Sequence, residues 1–275
     1  MGAMDDVTSP HTATELLRRR APAIARLRRG AIELMFLSAL YVVYSVSRLF
    51  ASDEFAPARG HALDILAFEQ DWRVALEGWL NDLFVRVDWL GMFGSYWYAT
   101  THYAVTVLVL VWLYRRSATE YVTARRALVL ATIVGLVFYL LLPTAPPRMI
   151  DGEYVDVLRL HAESGWWGAD ASAPRGFGSW TNELAAFPSL HAGWSLWVAL
   201  VVVRSGVAGG WRMLGWAYAA TMTIVIIGTG NHWVLDAVAG WALVVVAFAV
   251  ITAWERRSPV LAHEDSHHRP VLREM

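Results

Sequence analysis

Two residue types are missing from this sequence, and each absence excludes a class of chemistry. With no cysteine, the chain has no disulfide, no thiolate metal site and no cysteine nucleophile. The 23 basic residues are all arginine, so neither a P-loop lysine nor a Schiff-base lysine is available. The lack of cysteine leaves the redox compartment open.

Charged residues are also scarce. Only 17% of the 275 residues are charged, 56% are hydrophobic and the mean hydropathy is +0.39. A soluble domain carries about a quarter charged residues, so the composition predicts a membrane protein. The 15 tryptophans often flank the apolar runs, as in the aromatic belts at membrane–water interfaces.

Six apolar runs have the length of membrane-spanning helices. They cover residues 31–50, 94–113, 127–142, 187–203, 211–227 and 231–254. We therefore predict an all-α polytopic membrane protein with about six transmembrane helices. Residues 1–30 are expected to form a cytoplasmic N-terminal segment, 31–254 a six-helix membrane domain, and 255–275 a polar cytoplasmic tail without regular structure.

Residues 65–83 predict a different kind of helix. Apolar side chains recur at spacings of three and four along one face, and charged side chains occupy the opposite face. The apolar positions are Ile65, Phe68, Trp72, Leu76, Trp79 and Leu83, and the charged ones are Glu69, Asp71, Arg73 and Glu77. Because this segment is too polar to span a bilayer, we predict an interfacial amphipathic helix lying flat on the membrane. A helix packed on an extramembrane loop is the alternative.

The placement of the arginines indicates the orientation. Most of them fall in segments that six spans put on one side of the membrane, namely the N-terminal segment, loops 114–126 and 204–212, and the start of the tail. By the positive-inside rule that side is cytoplasmic. Both termini are then cytoplasmic, and we place the protein in the plasma membrane. Arg148, His191 and His232 share the extracytoplasmic face.

His232 and Asp236 stand one helical turn apart at the start of the sixth run, and therefore on one face. A carboxylate in that position accepts the Nδ1 proton and leaves Nε2 with a free lone pair, as in a nucleophile or base held by an orienting group. Asn231 is a candidate cap for this helix, whose free amides favour anions. The alternative is an ion pair that only anchors the helix.

His191 begins the fourth run, and Arg148 closes the third. His191 is placed to donate a proton to a leaving oxygen, while Ser189 and nearby amides are suited to hold an oxyanion. Arg148 falls on the side poor in arginine, which favours a forked grip on phosphate. A satisfied interfacial histidine and a snorkelling arginine are the structural alternatives.

Together these residues form a set suited to in-line transfer at phosphorus. One imidazole attacks phosphorus, the other protonates the leaving group, and arginine and backbone amides neutralise the non-bridging oxygens. The segments 143–148, 187–193 and 232–236 resemble the three motifs of the type 2 phosphatidic acid phosphatase superfamily. The second and third, Phe-Pro-Ser-Leu-His-Ala-Gly and His-Trp-Val-Leu-Asp, look most like the branch that contains inositol phosphorylceramide synthase.

This resemblance implies a mechanism and a role for each matched residue. The family has a six-helix membrane core, uses no metal ion or cofactor, and reacts through a phosphohistidine. By position, His232 would be the nucleophile and Asp236 its orienting group. His191 would be the general acid and then the base that activates the acceptor, and Arg148 would bind phosphate.

The sequence departs from the common phosphatase pattern at two cationic positions. Leu141 stands seven residues before Arg148, where that pattern has lysine, and Val225 and Ile226 replace its Ser-Arg pair. A site with fewer positive ligands holds a phosphate monoester dianion less well than a phosphodiester monoanion. The sequence therefore favours a lipid phosphotransferase that moves a phosphate-linked headgroup, such as phosphoinositol, between lipids.

Two rival functions stay open at this point. One is a lipid phosphate or polyprenyl diphosphate phosphatase, in which water replaces the lipid hydroxyl as acceptor. The other is a catalytically silent membrane binding or transport protein. In the enzymatic cases the donor is a phospholipid or lipid phosphate. The sequence has no basic stripe for nucleic acid and no His-Glu-x-x-His zinc signature.

Residues around the motifs give weaker predictions. His102, inside the second run, is a candidate residue of the acceptor site or else a polar packing residue. Asn182 is expected to order its loop or to touch a polar headgroup. The loop 144–186 is longer than a connector needs and is expected to be functional. Glu69 and Asp156 are expected to be solvated acids, with sugar hydroxyl binding as the alternative.

Overall fold

The computed structural model describes residues 54–150, 152–167 and 182–257, with two isolated positions, 30 and 35, ahead of them. Nearly all of the predicted N-terminal segment and first span, and the tail beyond residue 257, lie outside the described residues. The chain divides into two compact units, Met1–Leu49 and Phe50–Met275. The helices and the site below belong to the second unit.

Every regular element of the described residues is helical, as the all-α prediction requires. A short 3₁₀ helix, Pro147–Met149, lies between the fourth and fifth α-helices. The eight α-helices are α1 Phe55–Asp71, α2 Glu77–Arg86, α3 Asp88–Arg116, α4 Ala118–Leu141, α5 Val157–Leu160, α6 Leu190–Arg204, α7 Gly209–Gly228 and α8 Val234–Arg257.

The second to sixth apolar runs coincide with α3, α4, α6, α7 and α8. Two of these helices, α4 and α8, are long and apolar enough to cross a membrane, and α6 is a shorter apolar helix. The count of six spans therefore stays a prediction. The tail begins later than predicted, because α8 continues to Arg257 and Glu255 receives bonds from Arg126 at 3.0 Å and Thr123 at 2.7 Å.

The predicted single helix over residues 65–83 is wrong. The chain leaves the helical path between α1 and α2, where Arg73 adopts a left-handed φ of 55°. Glu69 and Glu77, predicted on the solvated face, are fully buried, whereas Trp72 and Trp79 are 70% and 69% exposed. The two acids face the protein because they bind backbone amides at the start of α8.

α6 carries much of the packing around the site. It contacts α3, α4, α7 and α8. Trp197 of α6 is fully buried and donates a hydrogen bond to the Ala124 carbonyl of α4 at 2.8 Å. Ser189 caps the start of α6, since its hydroxyl accepts from the Ala192 amide at 3.3 Å. The cap at Ser189 and the bond of Trp197 to α4 together fix the first turn of α6, which carries His191.

The backbones of α6 and α8 meet directly beside the site. A Cβ atom added to Gly240 would overlap the Ser189 carbonyl oxygen, and one added to Gly193 would lie 3.0 Å from the Gly240 carbonyl oxygen. The Ser189 amide also donates to the Asp236 carbonyl at 2.9 Å. Glycine at position 240 is therefore required for the close approach of the two helices.

Substitution of Gly240 by alanine is expected to destabilise the protein. The added methyl group would press on backbone atoms that cannot turn away as a side chain can, so the cost should be about 1–3 kcal/mol. Gly60→Ala in α1 is the matched control, because a Cβ atom there meets nothing within 4 Å. Thermal unfolding in detergent measures both. Equal melting temperatures for the two variants would contradict the direct backbone contact.

The two ends of the long loop 144–186 are joined. The Thr144 amide donates to the Leu184 carbonyl at 2.7 Å, and the Ala186 amide donates to the Thr144 carbonyl at 3.2 Å. These bonds form an isolated parallel bridge. The segment that precedes His191 is thereby held next to the segment that carries Arg148.

Candidate active site

A tight turn between α7 and α8 presents His232. Gly230 adopts a positive φ of 74° in this turn, and a Cβ atom there would lie 3.0 Å from the Val155 carbonyl oxygen. The next side chains point inward, and His232 is only 3% exposed. Trp233 is fully buried and donates from its indole to the Ala145 carbonyl at 3.0 Å. The turn thus fixes the ring of His232 inside the protein.

The hydrogen bonds of His232 determine its tautomer. Its Nδ1 lies 2.9 Å from the Ala186 carbonyl oxygen and 3.3 Å from Asp236 Oδ2. A carbonyl oxygen only accepts, so Nδ1 carries the proton and Nε2 keeps its lone pair. The nearer acceptor is the backbone carbonyl rather than the predicted carboxylate. Asp236 Oδ2 also accepts from the Trp233 amide at 2.8 Å.

His191 lies in a stack of aromatic rings beside His232. Its ring centroid is 4.3 Å from that of Tyr98, 4.0 Å from that of His102 and 5.7 Å from that of His232. Its Nε2 is buried and has no hydrogen-bond partner among the described residues. A buried polar atom without a partner requires an explanation, and a group on a substrate is the simplest one at this position.

Arg148 is held in place by two other side chains. Its guanidinium donates to Asn231 Oδ1 at 2.8 Å and pairs with Asp156 Oδ2 at 3.3 Å. Its backbone amide donates to the Gly230 carbonyl at 2.9 Å. These contacts with Gly230 and Asn231 hold Arg148 against the two residues that directly precede His232. The structure therefore brings Arg148, His191 and His232 together, as the sequence predicts.

Asn231 has a different place from the predicted one. It does not cap α8, because its Nδ2 donates to Thr229 Oγ1 at 2.9 Å and its Oδ1 receives Arg148. The amides at the start of α8 are occupied by carboxyl groups of Asp236, Glu77 and Glu69. Those amides are not free to hold an anion, and Asn231 orients the guanidinium of Arg148.

Ser189 and Asn182 are both engaged in local structure. Ser189 is fully buried, and its hydroxyl is used as the cap of α6. Asn182 accepts a hydrogen bond from the Leu184 amide at 3.1 Å. In the described part of the chain, no hydrogen bond joins Asn182 to the two histidines. The Ser189 hydroxyl thus orders the turn that carries His191, and its use as an oxyanion ligand stays a prediction.

His102 lies next to His191 on the neighbouring helix α3. Its Nδ1 is 2.9 Å from the Tyr98 carbonyl oxygen, so this nitrogen donates and the other keeps a lone pair. The ring is 6% exposed. This place is compatible with the predicted acceptor site and with the packing alternative.

The structure also describes the three residues that stand in place of the lysine and the Ser-Arg pair of the common phosphatase pattern. Leu141 is 77% exposed at the end of α4, while Val225 and Ile226 are almost completely buried in α7. The Ile226 carbonyl accepts the amides of Asn231 and His232, both at 3.1 Å. Arg148 is therefore the cationic side chain that the described residues supply to this site.

Several residues of the site were not predicted. Tyr98 stacks on His191 with an angle of 20° between the rings. Its spacing of four from His102 was the available signal. Asp156, expected to be solvated, pairs with Arg148, and no pattern in the sequence indicates that contact.

Residues 63–250 match the model of the PAP2 superfamily, which is more than half of the chain. The chain belongs to the PAP2 superfamily. Members of this superfamily are lipid phosphatases and phosphotransferases, and the family together with the apolar helices indicates a membrane protein. No curated protein and no solved structure matches this PAP2 superfamily chain significantly.

Proposed function

We propose that this PAP2 superfamily protein moves a phosphate-linked headgroup between lipids through a phosphohistidine on His232. The observation that carries the proposal is the hydrogen bond from His232 Nδ1 to the Ala186 carbonyl at 2.9 Å. It leaves Nε2 with a lone pair, and the ring of His191 lies 5.7 Å away, centroid to centroid.

In the first step, His232 Nε2 attacks the phosphorus atom of the donor lipid. The bond between phosphorus and the donor's leaving oxygen breaks, and His191 donates a proton to that oxygen. The ring of His232 gains positive charge as the nitrogen–phosphorus bond forms. The Asp236 carboxyl, 3.3 Å from Nδ1, stabilises this charge.

In the second step, a lipid hydroxyl is the acceptor. His191 removes its proton, the oxygen attacks phosphorus, and the nitrogen–phosphorus bond breaks. This restores His232 with its lone pair and His191 with its proton. Arg148 binds the non-bridging oxygens in both steps, and Asn231 and Asp156 hold its guanidinium in orientation. No metal ion takes part.

The charge of the site supports a diester donor. Arg148 supplies one positive charge, and the positions of Leu141, Val225 and Ile226 supply none. A phosphodiester monoanion such as phosphatidylinositol suits this balance better than a monoester dianion, which supports our proposal that the chain belongs to the inositol phosphorylceramide synthase-like branch. The proposal includes six spans in the plasma membrane, cytoplasmic termini and a site on the extracytoplasmic face.

A label-transfer experiment tests the proposal. Purified protein without added metal is given phosphatidylinositol labelled in its headgroup, together with a pool of lipid alcohols. Label should move to a new lipid and should not move with the His232→Ala variant. Release of water-soluble phosphoinositol or phosphate would instead establish a hydrolase. No turnover of diester, monoester or diphosphate lipids would favour a silent binding or transport protein.

A further inference from the structure

Three consecutive amides at the start of α8 each bind a different carboxyl group. The pairs are Trp233 with Asp236 at 2.8 Å, Val234 with Glu77 at 2.8 Å, and Leu235 with Glu69 at 2.6 Å. Amides at a helix start carry partial positive charge and normally attract an anion. Here the protein's own side chains fill all three places, and two of them come from α1 and α2.

The second oxygen of each carboxyl group is left without a partner. Glu69 Oε2, Glu77 Oε2 and Asp236 Oδ1 are buried and have no hydrogen-bond partner among the described residues, and all three side chains are fully buried. Unpaired carboxylates are costly in such surroundings. Glu69 and Glu77 bind consecutive amides of α8, so their two carboxyl groups lie side by side. A proton on one of them removes one buried charge and gives the other an O–H donor.

We propose that Glu69 and Glu77 share one proton and act as a positioning pair that holds the start of α8, and with it His232, in place for phosphoryl transfer. The pair acts through the backbone and does not touch the reacting atoms. The role given to His232 rests on the proposed function. The sharing of the proton and the clamping of α8 do not depend on it.

The break between α1 and α2 makes this arrangement possible. In one continuous helix, residues 69 and 77 would lie about 12 Å apart along the axis, at 1.5 Å per residue. Consecutive amides of α8 are much closer than that. The turn at Arg73 (φ 55°) lets both carboxyl groups reach them. The pair also excludes phosphate from this helix start, which leaves the phosphate to Arg148 and the histidines.

The surroundings of the pair favour the protonated form. Burial and the neighbouring carboxyl group of Glu77 raise the pKa of Glu69 to about 9, against the effect of the Leu235 amide. The other titratable groups that face the pair are Asp236 on α8 and Tyr154 and Glu153 on the loop before α5. Burial and the charges of Glu77, Glu153 and Glu69 raise the pKa of Tyr154 as well.

Glutamine variants test for the shared proton. In Glu69→Gln the amide NH₂ donates to Glu77 as the proton did, and in Glu77→Gln it donates to Glu69. In the double variant, the NH₂ groups of the two glutamines face each other and neither can accept. Rotating either side-chain amide would place its NH₂ against a backbone N–H of α8, which is also a donor. We expect single variants within about threefold of wild-type turnover, and a double variant at least about tenfold below the product of the singles. Small additive effects would overturn the proposal.

A second measurement does not need activity. The unfolded chain loses the Glu69 proton near the ordinary value of 4.5, and the folded protein keeps it to about 9. The free energy of unfolding therefore falls as pH rises between these values. The wild-type melting temperature should decrease more from pH 5 to pH 9 than that of Glu69→Gln. Asp82→Asn, an exposed acid of α2 paired with Arg86, should keep the wild-type slope. Equal slopes for wild type and Glu69→Gln would overturn the shared proton.

Histidine spectra separate this inference from the proposed function. With ¹⁵N-labelled histidine, the His232 signal, assigned by its loss in His232→Ala, should show the Nδ1–H tautomer in wild type and in both single variants. In the double variant this signal should shift or broaden. An unchanged signal there would overturn the positioning role. A protein with the expected spectra and no transfer of label would overturn only the proposed function.

Discussion

Replacing His232 by alanine is expected to abolish turnover, with a loss of at least about a thousandfold. The ring is the attacking group in the proposed reaction, because it has a fixed Nδ1–H tautomer, the ring of His191 at 5.7 Å and the carboxyl of Asp236 at 3.3 Å. The measurement is the rate of label transfer by purified protein. Acid-labile, base-stable phosphate on the wild-type protein should disappear with the same substitution.

The control for His232→Ala is another histidine substitution. His267 lies in the tail, outside the described residues, and His267→Ala should keep wild-type turnover and wild-type labelling. Gel filtration and thermal unfolding in detergent establish that the His232 variant is folded. A folded His232→Ala protein with turnover within tenfold of wild type would contradict the assignment of the nucleophile.

Arg148→Lys is expected to lower turnover by about a hundredfold, although it preserves the charge. Lysine has no planar fork, so it cannot keep the bonds to Asn231 and Asp156 while it grips two phosphate oxygens. The loss should appear in kcat as well as in KM, because the phosphate oxygens gain charge in the transition state. Steady-state kinetics on the lipid donor measure both.

Arg159→Lys provides the matched control. Arg159 is exposed on α5, three residues from the Asp156 that pairs with Arg148, and its substitution should leave both constants unchanged. If Arg148→Lys retained wild-type kcat, the forked contact with phosphate would be refuted and a plain electrostatic role would remain.

The helices were predictable because apolar runs of this length are typical of long helices that bury their side chains in a membrane or a protein core. The break at Arg73 was not predictable, because apolar residues spaced by three and four define one face of a helix but do not show whether that face packs against the protein. Here the apolar face with Trp72 and Trp79 is exposed, and the acids point inward. Their partners, the amides of Val234 and Leu235, are 157 and 166 residues away, and backbone groups leave no mark in a sequence.

The candidate site also combines contacts that the sequence indicates with contacts that it does not. Arg148, His191 and His232 carry chemistry in their side chains, so their types and spacing indicated the site. The main acceptor for His232 Nδ1 is the carbonyl of Ala186, which any residue would offer. Asn231 was predicted to cap α8, and it binds Arg148 instead, because carboxyl groups of α1, α2 and α8 itself occupy the amides.

The contact of Gly240 with the Ser189 carbonyl has a consequence for how this protein can vary. In the proposed reaction, the distance between His191 and His232 depends on the approach of α6 and α8, which is set by main-chain atoms that are the same for every residue type. Outward side chains of α8, such as Val238 and Val245 at 48% and 50% exposure, take no part in setting it. The outer surface is therefore free to suit bilayers of different thickness or composition, while the reaction distance stays constant.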